Sequence, residues 1–163
     1  MSRELRLVLI DDDPAWLETL ADYLRTRGFQ VEPAPDGATG LALVEQGGVA
    51  LVLVDSHMPD MDGLDFLRRL RRRNSVPVLM VSGEDGATLL PRVLAEGGQG
   101  FVSKTTSPNL LLRTVRQTLE RAEAARAGSG SARLRRSYLP VLRRFSRFLP
   151  VPVNDFRSEW QKS

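Results

Sequence analysis

Three uninterrupted apolar runs constrain this chain more than any other feature: LVLI at 7–10, VALVLV at 49–54 and VPVLMV at 76–81. Each is short, rich in β-branched residues and free of apolar–polar alternation. That pattern reads as a strand covered on both faces of a sheet. Helix-period stretches separate the runs. Leu5 to Ile10 reads as the first strand, and Pro14 to Arg27 as a helix with Leu17, Leu20, Ala21 and Leu24 on one face. Phe29 to Pro33 is a weaker strand, and Asp36 to Gln46 a second helix stopped by Gly47 and Gly48. Residues 49–55 form the third strand, Leu64 to Arg73 a helix, and 76–82 the fourth strand. A helix over Asp85 to Glu96, a short strand within 98–104 and a last helix capped by Ser107 and Pro108 complete the series. On that last helix Leu111, Leu112, Val115, Leu119 and Ala122 are expected to face inward. Five β-α repeats predict an α/β fold: a doubly wound parallel sheet with helices on both faces.

Composition narrows the chemistry. The chain has 163 residues, is 42% hydrophobic and 26% charged, and contains no cysteine, which excludes disulfides and thiolate metal sites. The first apolar run is too short for a signal peptide or a membrane span, so a cytoplasmic location is expected. Charge divides unevenly. Residues 1–128 carry 15 Lys and Arg against 18 Asp and Glu; residues 129–163 carry eight against two. A mildly acidic body therefore precedes a basic tail, and only the tail suits an anionic partner.

In a doubly wound sheet, ligands bind beyond the carboxyl ends of the strands, where the winding reverses. The polar residues that end the strands are therefore the candidates. They are Asp11, Asp12 and Asp13 on the first strand, Asp55 on the third, Ser82 on the fourth and Lys104 after the fifth. Crowded carboxylates repel and raise one another's pKa, so a cation, a helix N-terminus or water must offset them. Without thiols, and with His57 the only histidine, the set favours a hard divalent cation such as Mg²⁺. Asp12 and Asp55 would be ligands, with Asp11 orienting a water. A carboxylate can also be a nucleophile that forms an acyl phosphate. Phosphoryl transfer needs positioning and charge neutralisation, which Mg²⁺, Lys104 and the Ser82 hydroxyl would share.

The motifs VLIDDDP, LVLVDSHMPDMDG, VPVLMVSG and GFVSK occur in this order and at fitting separations. Through them residues 5 to 125 closely resemble the receiver domain of bacterial two-component response regulators. The resemblance implies a flavodoxin-like strand order 2-1-3-4-5. It implies Asp55 as phosphoacceptor and Asp11 and Asp12 as the acidic pair, with Mg²⁺ held by Asp12, Asp55 and the His57 backbone carbonyl. It implies Ser82 as switch hydroxyl, Lys104 as phosphate-binding lysine, and Phe101 as a switch aromatic that turns inward after phosphorylation. A histidine kinase, a phosphotransfer protein or a small acyl phosphate would be the donor. The face made by the fourth helix, fifth strand and fifth helix would form homodimers or dock outputs. Such a domain is not an enzyme beyond its own phosphotransfer and autodephosphorylation. Thr105 stands where many receivers have proline, and residues 100–120 look like the subclass fused to LuxR-type helix-turn-helix outputs. About 40 residues follow the last helix without those motifs, so protein contacts rather than direct DNA binding are expected.

Other residues have plainer expected roles. Asp13 and Asp36 suit helix N-caps, and Asp60 and Asp62 suit turns. The His57 side chain shields rather than catalyses. Trp16 and Phe66 are expected to be partly buried, and the arginines of RRLRRR at 68–73 to be a solvated helix end. The receiver is expected over 1–126, a flexible AGSGSA linker over 127–132, and a basic amphipathic extension over 133–163. In the extension Leu134, Tyr138, Val141, Leu142, Phe145 and Leu149 share one helical face, interrupted at Pro140. It fits a protein groove, a membrane surface or an acidic protein, or it packs on its own body. Two other readings stay open. A haloacid-dehalogenase-type phosphatase would use Asp11 and Asp13 as a D-x-D pair, with Ser82 and Lys104, but leaves Asp55 without a role. A pseudo-receiver would be a pure interaction module.

Overall fold

A computed structural model describes residues 4–128, and there the five expected strands lie side by side in one parallel sheet. They are β1 (Leu5–Ile10), β2 (Phe29–Ala34), β3 (Val49–Asp55), β4 (Val78–Ser82) and β5 (Gly100–Ser103), in the order β2-β1-β3-β4-β5. The helices between and after them are α1 (Pro14–Arg25), α2 (Gly37–Glu45), α3 (Gly63–Arg71), α4 (Gly86–Ala95) and α5 (Pro108–Ala127). The expected doubly wound order is therefore present, with its reversal between β1 and β3.

Strand side chains alternate between faces, and here both alternating sets are apolar. Leu7, Leu9, Leu51, Leu53, Leu79 and Val81 join α1 and α5 in one core. Val8, Ile10, Val52, Val54, Val78 and Met80 join α2, α3 and α4 in the other. That is why these runs lack a polar period. Leu17, Leu20, Ala21 and Leu24 of α1 are buried as expected. On α5 Leu111, Leu112 and Val115 are buried, Leu119 packs partly on the same core, and Ala122 is half-buried.

Several boundaries differ from the sequence reading, for local reasons. The β2 strand continues past Pro33 to Ala34. It is an edge strand, where a missing N–H costs no ladder bond. The α1 helix ends at Arg25, two residues early, and the chain then turns at Gly28 with φ +89°. Asp36 and Gln46 are the caps of α2 rather than members of it. The β4 strand begins after Pro77, and the Val78 N–H donates to Gln99 Oε1 at 2.6 Å. The α5 helix runs through Ala127 to a cap at Gly128, so the first residue of the expected linker is helical. The rest of the linker and the 133–163 extension lie outside the described residues. Among the described residues, no helix is long and apolar enough to cross a membrane.

Two surface expectations are corrected. Phe66 is fully buried, and Trp16 nearly so, because both point into the cores rather than to a partner. Among the arginines after Phe66, Arg68 is exposed as expected, pairing with Asp65 at 2.8 Å and Glu96 at 2.9 Å, whereas Arg71 is half-buried and donates to the Gly97 carbonyl at 2.9 Å and Gln99 at 3.2 Å. These bonds tie the end of α3 to the end of α4.

The joint between β3 and α3 is tight enough to dictate a residue. A Cβ on Gly63 would lie 2.5 Å from the Asp55 carbonyl oxygen and 2.6 Å from Met80 Sδ. A Cβ on Gly28 would meet nothing within 4 Å, so the cost there is conformational only. Gly63→Ala should therefore lower stability by about 1–3 kcal/mol, the range for overpacking. Its Tm should fall several degrees, and thermal melting by circular dichroism checks this. A wild-type Tm would show that the β3–α3 joint shifts freely and does not fix the Asp55 backbone.

Candidate functional site

Strand register brings the strand-end polar residues to one edge. Ile10 pairs with Val54, so Asp11 follows level with Asp55. Asp55 pairs with Val81, and Ser82 pairs with Ser103, just before Lys104. The Lys104 N–H donates to the Ser82 carbonyl at 2.8 Å, which carries the lysine up from β5 toward the site.

The side chains converge accordingly. Lys104 Nζ lies 2.6 Å from Asp11 Oδ2 and 3.4 Å from Asp55 Oδ1. Its ammonium also stands 5.7 Å from the centre of the Trp16 ring. Asp11 is 2% exposed, Asp55 is buried and Asp12 is exposed. Asp11 Oδ1 accepts the Asp13 N–H at 2.9 Å. Burial raises the Asp11 pKa, against the hydrogen bond from Lys104. Burial, then the Asp11 charge, push Asp55 up to about 6, again against Lys104.

Carboxylate oxygens of Asp11, Asp12 and Asp55 all come within 4.8 Å of one another. Three carboxylates and one ammonium leave two net negative charges, which a divalent cation offsets. The donors are hard oxygens with no thiolate or imidazole among them, so the set fits Mg²⁺. Of the sequence candidates, Asp11, Asp12, Asp55 and Lys104 form this cluster.

Ser82 and Phe101 sit beside it in a less expected state. The Ser82 hydroxyl bonds Ser56 Oγ at 2.5 Å. Phe101 is already buried, and its ring occupies the place where a Gly86 side chain would be. The ring is therefore packed under the start of α4, where Gly86 leaves room for it. The His57 side chain is 71% exposed and faces Glu84, with Nε2 at 3.2 Å from Oε1. Its backbone lies in the loop after Asp55, which a His57–Asp62 bridge closes.

The neighbouring acids act as caps. Asp13 Oδ1 accepts the Ala15 and Trp16 N–H groups at 3.0 and 3.2 Å, and Asp36 caps α2. Asp62 caps α3, accepting the Asp65 N–H at 2.7 Å, a more specific role than the expected turn. Asp60 reaches across to accept the Gly37 and Ala38 N–H groups at 3.2 and 3.0 Å. Slight burial opposes its ionisation, but these bonds prevail and hold its pKa below the usual carboxylate value. With Asp13 committed to α1, the D-x-D pair of a haloacid-dehalogenase-type site is not formed.

Sequence reading missed Ser56, Glu84 and the long reach of Asp60. Ser56 was detectable in principle: with Asp55 level with Val81, residue 56 stands level with Ser82.

Comparison with known proteins agrees with this geometry. Residues 7–116 match the family model of the response regulator receiver domain. The uncharacterized transcriptional regulatory protein YcbL of Bacillus subtilis (strain 168) is 35% identical over 115 residues, covering 71% of this chain and 51% of that protein. The DNA-binding response regulator MtrA of Mycolicibacterium smegmatis is 34% identical over 118 residues, covering 72% and 52%. The chain thus spans about half the length of the curated relatives it matches. A CheY-like response regulator receiver domain protein from Methanospirillum hungatei JF-1 superposes with a TM-score of 0.70 at 28% identity, over 75% of this chain and 98% of that one.

The Asp55 shift makes a stability prediction. Its folded pKa of about 6 exceeds the unsupported value of 3.8, so between those values the folded chain binds more protons than the unfolded chain. Stability therefore falls as pH rises through this window. Without divalent cations, Asp55→Asn should melt several degrees above wild type at neutral pH, a gain on the order of 1–3 kcal/mol. The gain should shrink as pH falls from about 6 to about 4. A lower Tm for Asp55→Asn at neutral pH would mean that the Lys104 pairing outweighs burial.

Proposed function

This chain belongs to the response regulator receiver domain family, and from that premise we propose that it is a phosphorylation-dependent switch that accepts a phosphoryl group on Asp55. One observation carries the assignment of the acceptor. Asp55 is the carboxylate that ends β3 at the winding reversal, flanked by Asp11 and Lys104 on one edge. With a pKa of about 6, it is mostly ionised and nucleophilic at neutral pH.

In this reading an Asp55 oxygen attacks phosphorus in the donor. The phosphorus–nitrogen bond of a phosphohistidine, or the phosphorus–oxygen bond of an acyl phosphate, breaks with its electron pair leaving on the donor. Lys104 neutralises charge on the equatorial oxygens, and Ser82 donates a hydrogen bond to one of them. Asp12, Asp55 and the His57 carbonyl would hold Mg²⁺, with Asp11 orienting a water. When bound there, the cation would offset the charge gathered by the phosphoryl oxygens. The phosphoryl group adds roughly −1.5 to −2 charge, which is the signal.

The donor is a sensor histidine kinase or phosphotransfer protein. Output passes through protein contacts: a homodimer or docked partner on the α4–β5–α5 face, and a further protein at the basic extension. Direct DNA contact is not part of this reading, nor is the LuxR-fusion subclass. The domain reading is a receiver over 1–126, a linker to 132 and the extension over 133–163. The chain acts in the cytoplasm, and its catalysis is confined to its own phosphotransfer and autodephosphorylation.

Incubation with acetyl phosphate and Mg²⁺, read by intact mass, tests this. The wild type should gain one phosphoryl group, while Asp55→Asn, or omission of Mg²⁺, should give none. Lys104→Ala should slow the gain by roughly 10²-fold, the cost of removing a charge stabiliser. A wild type that gains nothing from acetyl phosphate or from a phosphorylated histidine kinase would leave the pseudo-receiver reading in its place.

A further inference from the structure

Ser56 is buried at the same edge, yet the transfer described above does not use it. Its hydroxyl lies 2.5 Å from Ser82 Oγ and 2.9 Å from His57 Nδ1. On the far side of the ring, His57 Nε2 faces Glu84 Oε1 at 3.2 Å. The backbone N–H of Glu84 donates back to Ser82 Oγ at 3.1 Å. Four consecutive contacts thus close a loop through residues 56, 57, 84 and 82.

The Ser82 hydroxyl has one proton and already has two partners, Ser56 Oγ and the Glu84 N–H. Its contact with Ser56 is the shorter of the two, and both hydroxyls belong to buried residues. A phosphoryl oxygen on Asp55 only accepts, so it would need the Ser82 proton. Ser82 supplies that proton by turning away from Ser56.

We propose that Ser56 is a positioning residue that holds the Ser82 hydroxyl off Asp55, so that breaking the Ser56–Ser82 bond is a step of phosphoryl transfer. This rests on the receiver reading given above. Phe101 already lies inside, against Gly86, so no ring movement has to precede the release. Ser56 keeps its bond to His57 when Ser82 departs, which leaves the release reversible and modest in cost.

The test uses the full chain with acetyl phosphate and Mg²⁺. Ser56→Ala should raise the maximal phosphorylation rate about three- to tenfold, the worth of one hydrogen bond. The acetyl phosphate concentration at half-maximal rate should not change, because Ser56 does not touch the donor. In a Ser82→Ala background the same substitution should change nothing. A Ser56→Ala rate equal to wild type, or a gain that persists without Ser82, would overturn the proposal. Melting of the two single variants and the double variant checks the bond itself: coupled losses support it, and additive losses overturn it. A wild type that takes no phosphoryl group would instead overturn the receiver reading, and the transfer step with it, whatever the melting cycle shows about the bond.

Discussion

The contact between Lys104 and the paired carboxylates of Asp11 and Asp55 is the interaction on which this sheet edge depends. Two buried carboxylates at adjoining strand ends repel each other and resist desolvation. The ammonium between them makes the arrangement tolerable. It does not make it relaxed, since both carboxylates remain harder to ionise than in water. Removing the ammonium would leave both buried carboxylates uncompensated, which costs more than the intact pairs contribute. The site is thus held with an excess of negative charge that a divalent cation can offset.

That state needs precise placement, and the sheet supplies it. Two apolar cores, one on each face, leave no freedom for a strand to slip by a residue. A slip would exchange Leu7, Leu9, Leu51 and Leu53 for Val8, Ile10, Val52 and Val54 on every face at once. Register is therefore specified by packing, and Asp11, Asp55 and Ser82 inherit their heights from it. The caps extend the same control to the loops. Asp62 starts α3, and Asp60 pins the loop before it to the start of α2. Both acids belong to the loop that carries Asp55 into α3, so they fix the surroundings of the acceptor without touching it.

Most of this was legible in the sequence, for physical reasons. Continuous apolar runs specify buried parallel strands, and the polar residue that ends each run must emerge at the carboxyl edge. Asp11, Asp12, Asp55, Ser82 and Lys104 are all of this kind. Asp13 and Asp36 were legible because capping is local. What was not legible depends on contacts between distant segments. Asp60 looked like a turn residue, because nothing in its neighbourhood points to α2. Phe66 looked half-exposed, because the helical period fixes a face but not the depth behind it. Arg71 looked solvated, because its partners at 97 and 99 arrive only with the segment between α4 and β5. The basic extension carries a clear pattern in sequence and lies outside the described residues.

Ser82 and Phe101 show why a switch needs more than its participating residues. Phe101 has space to lie inward because residue 86 is glycine: any Cβ there would fall within 2.7 Å of two ring atoms. Phe101 is thus buried while the Ser82 hydroxyl bonds Ser56. Pro91 bears on the same helix. It lies inside α4, where it lacks an N–H to give to the preceding turn. The helix resting on Phe101 is thus the one, among the described residues, whose own hydrogen bonding is interrupted by a proline.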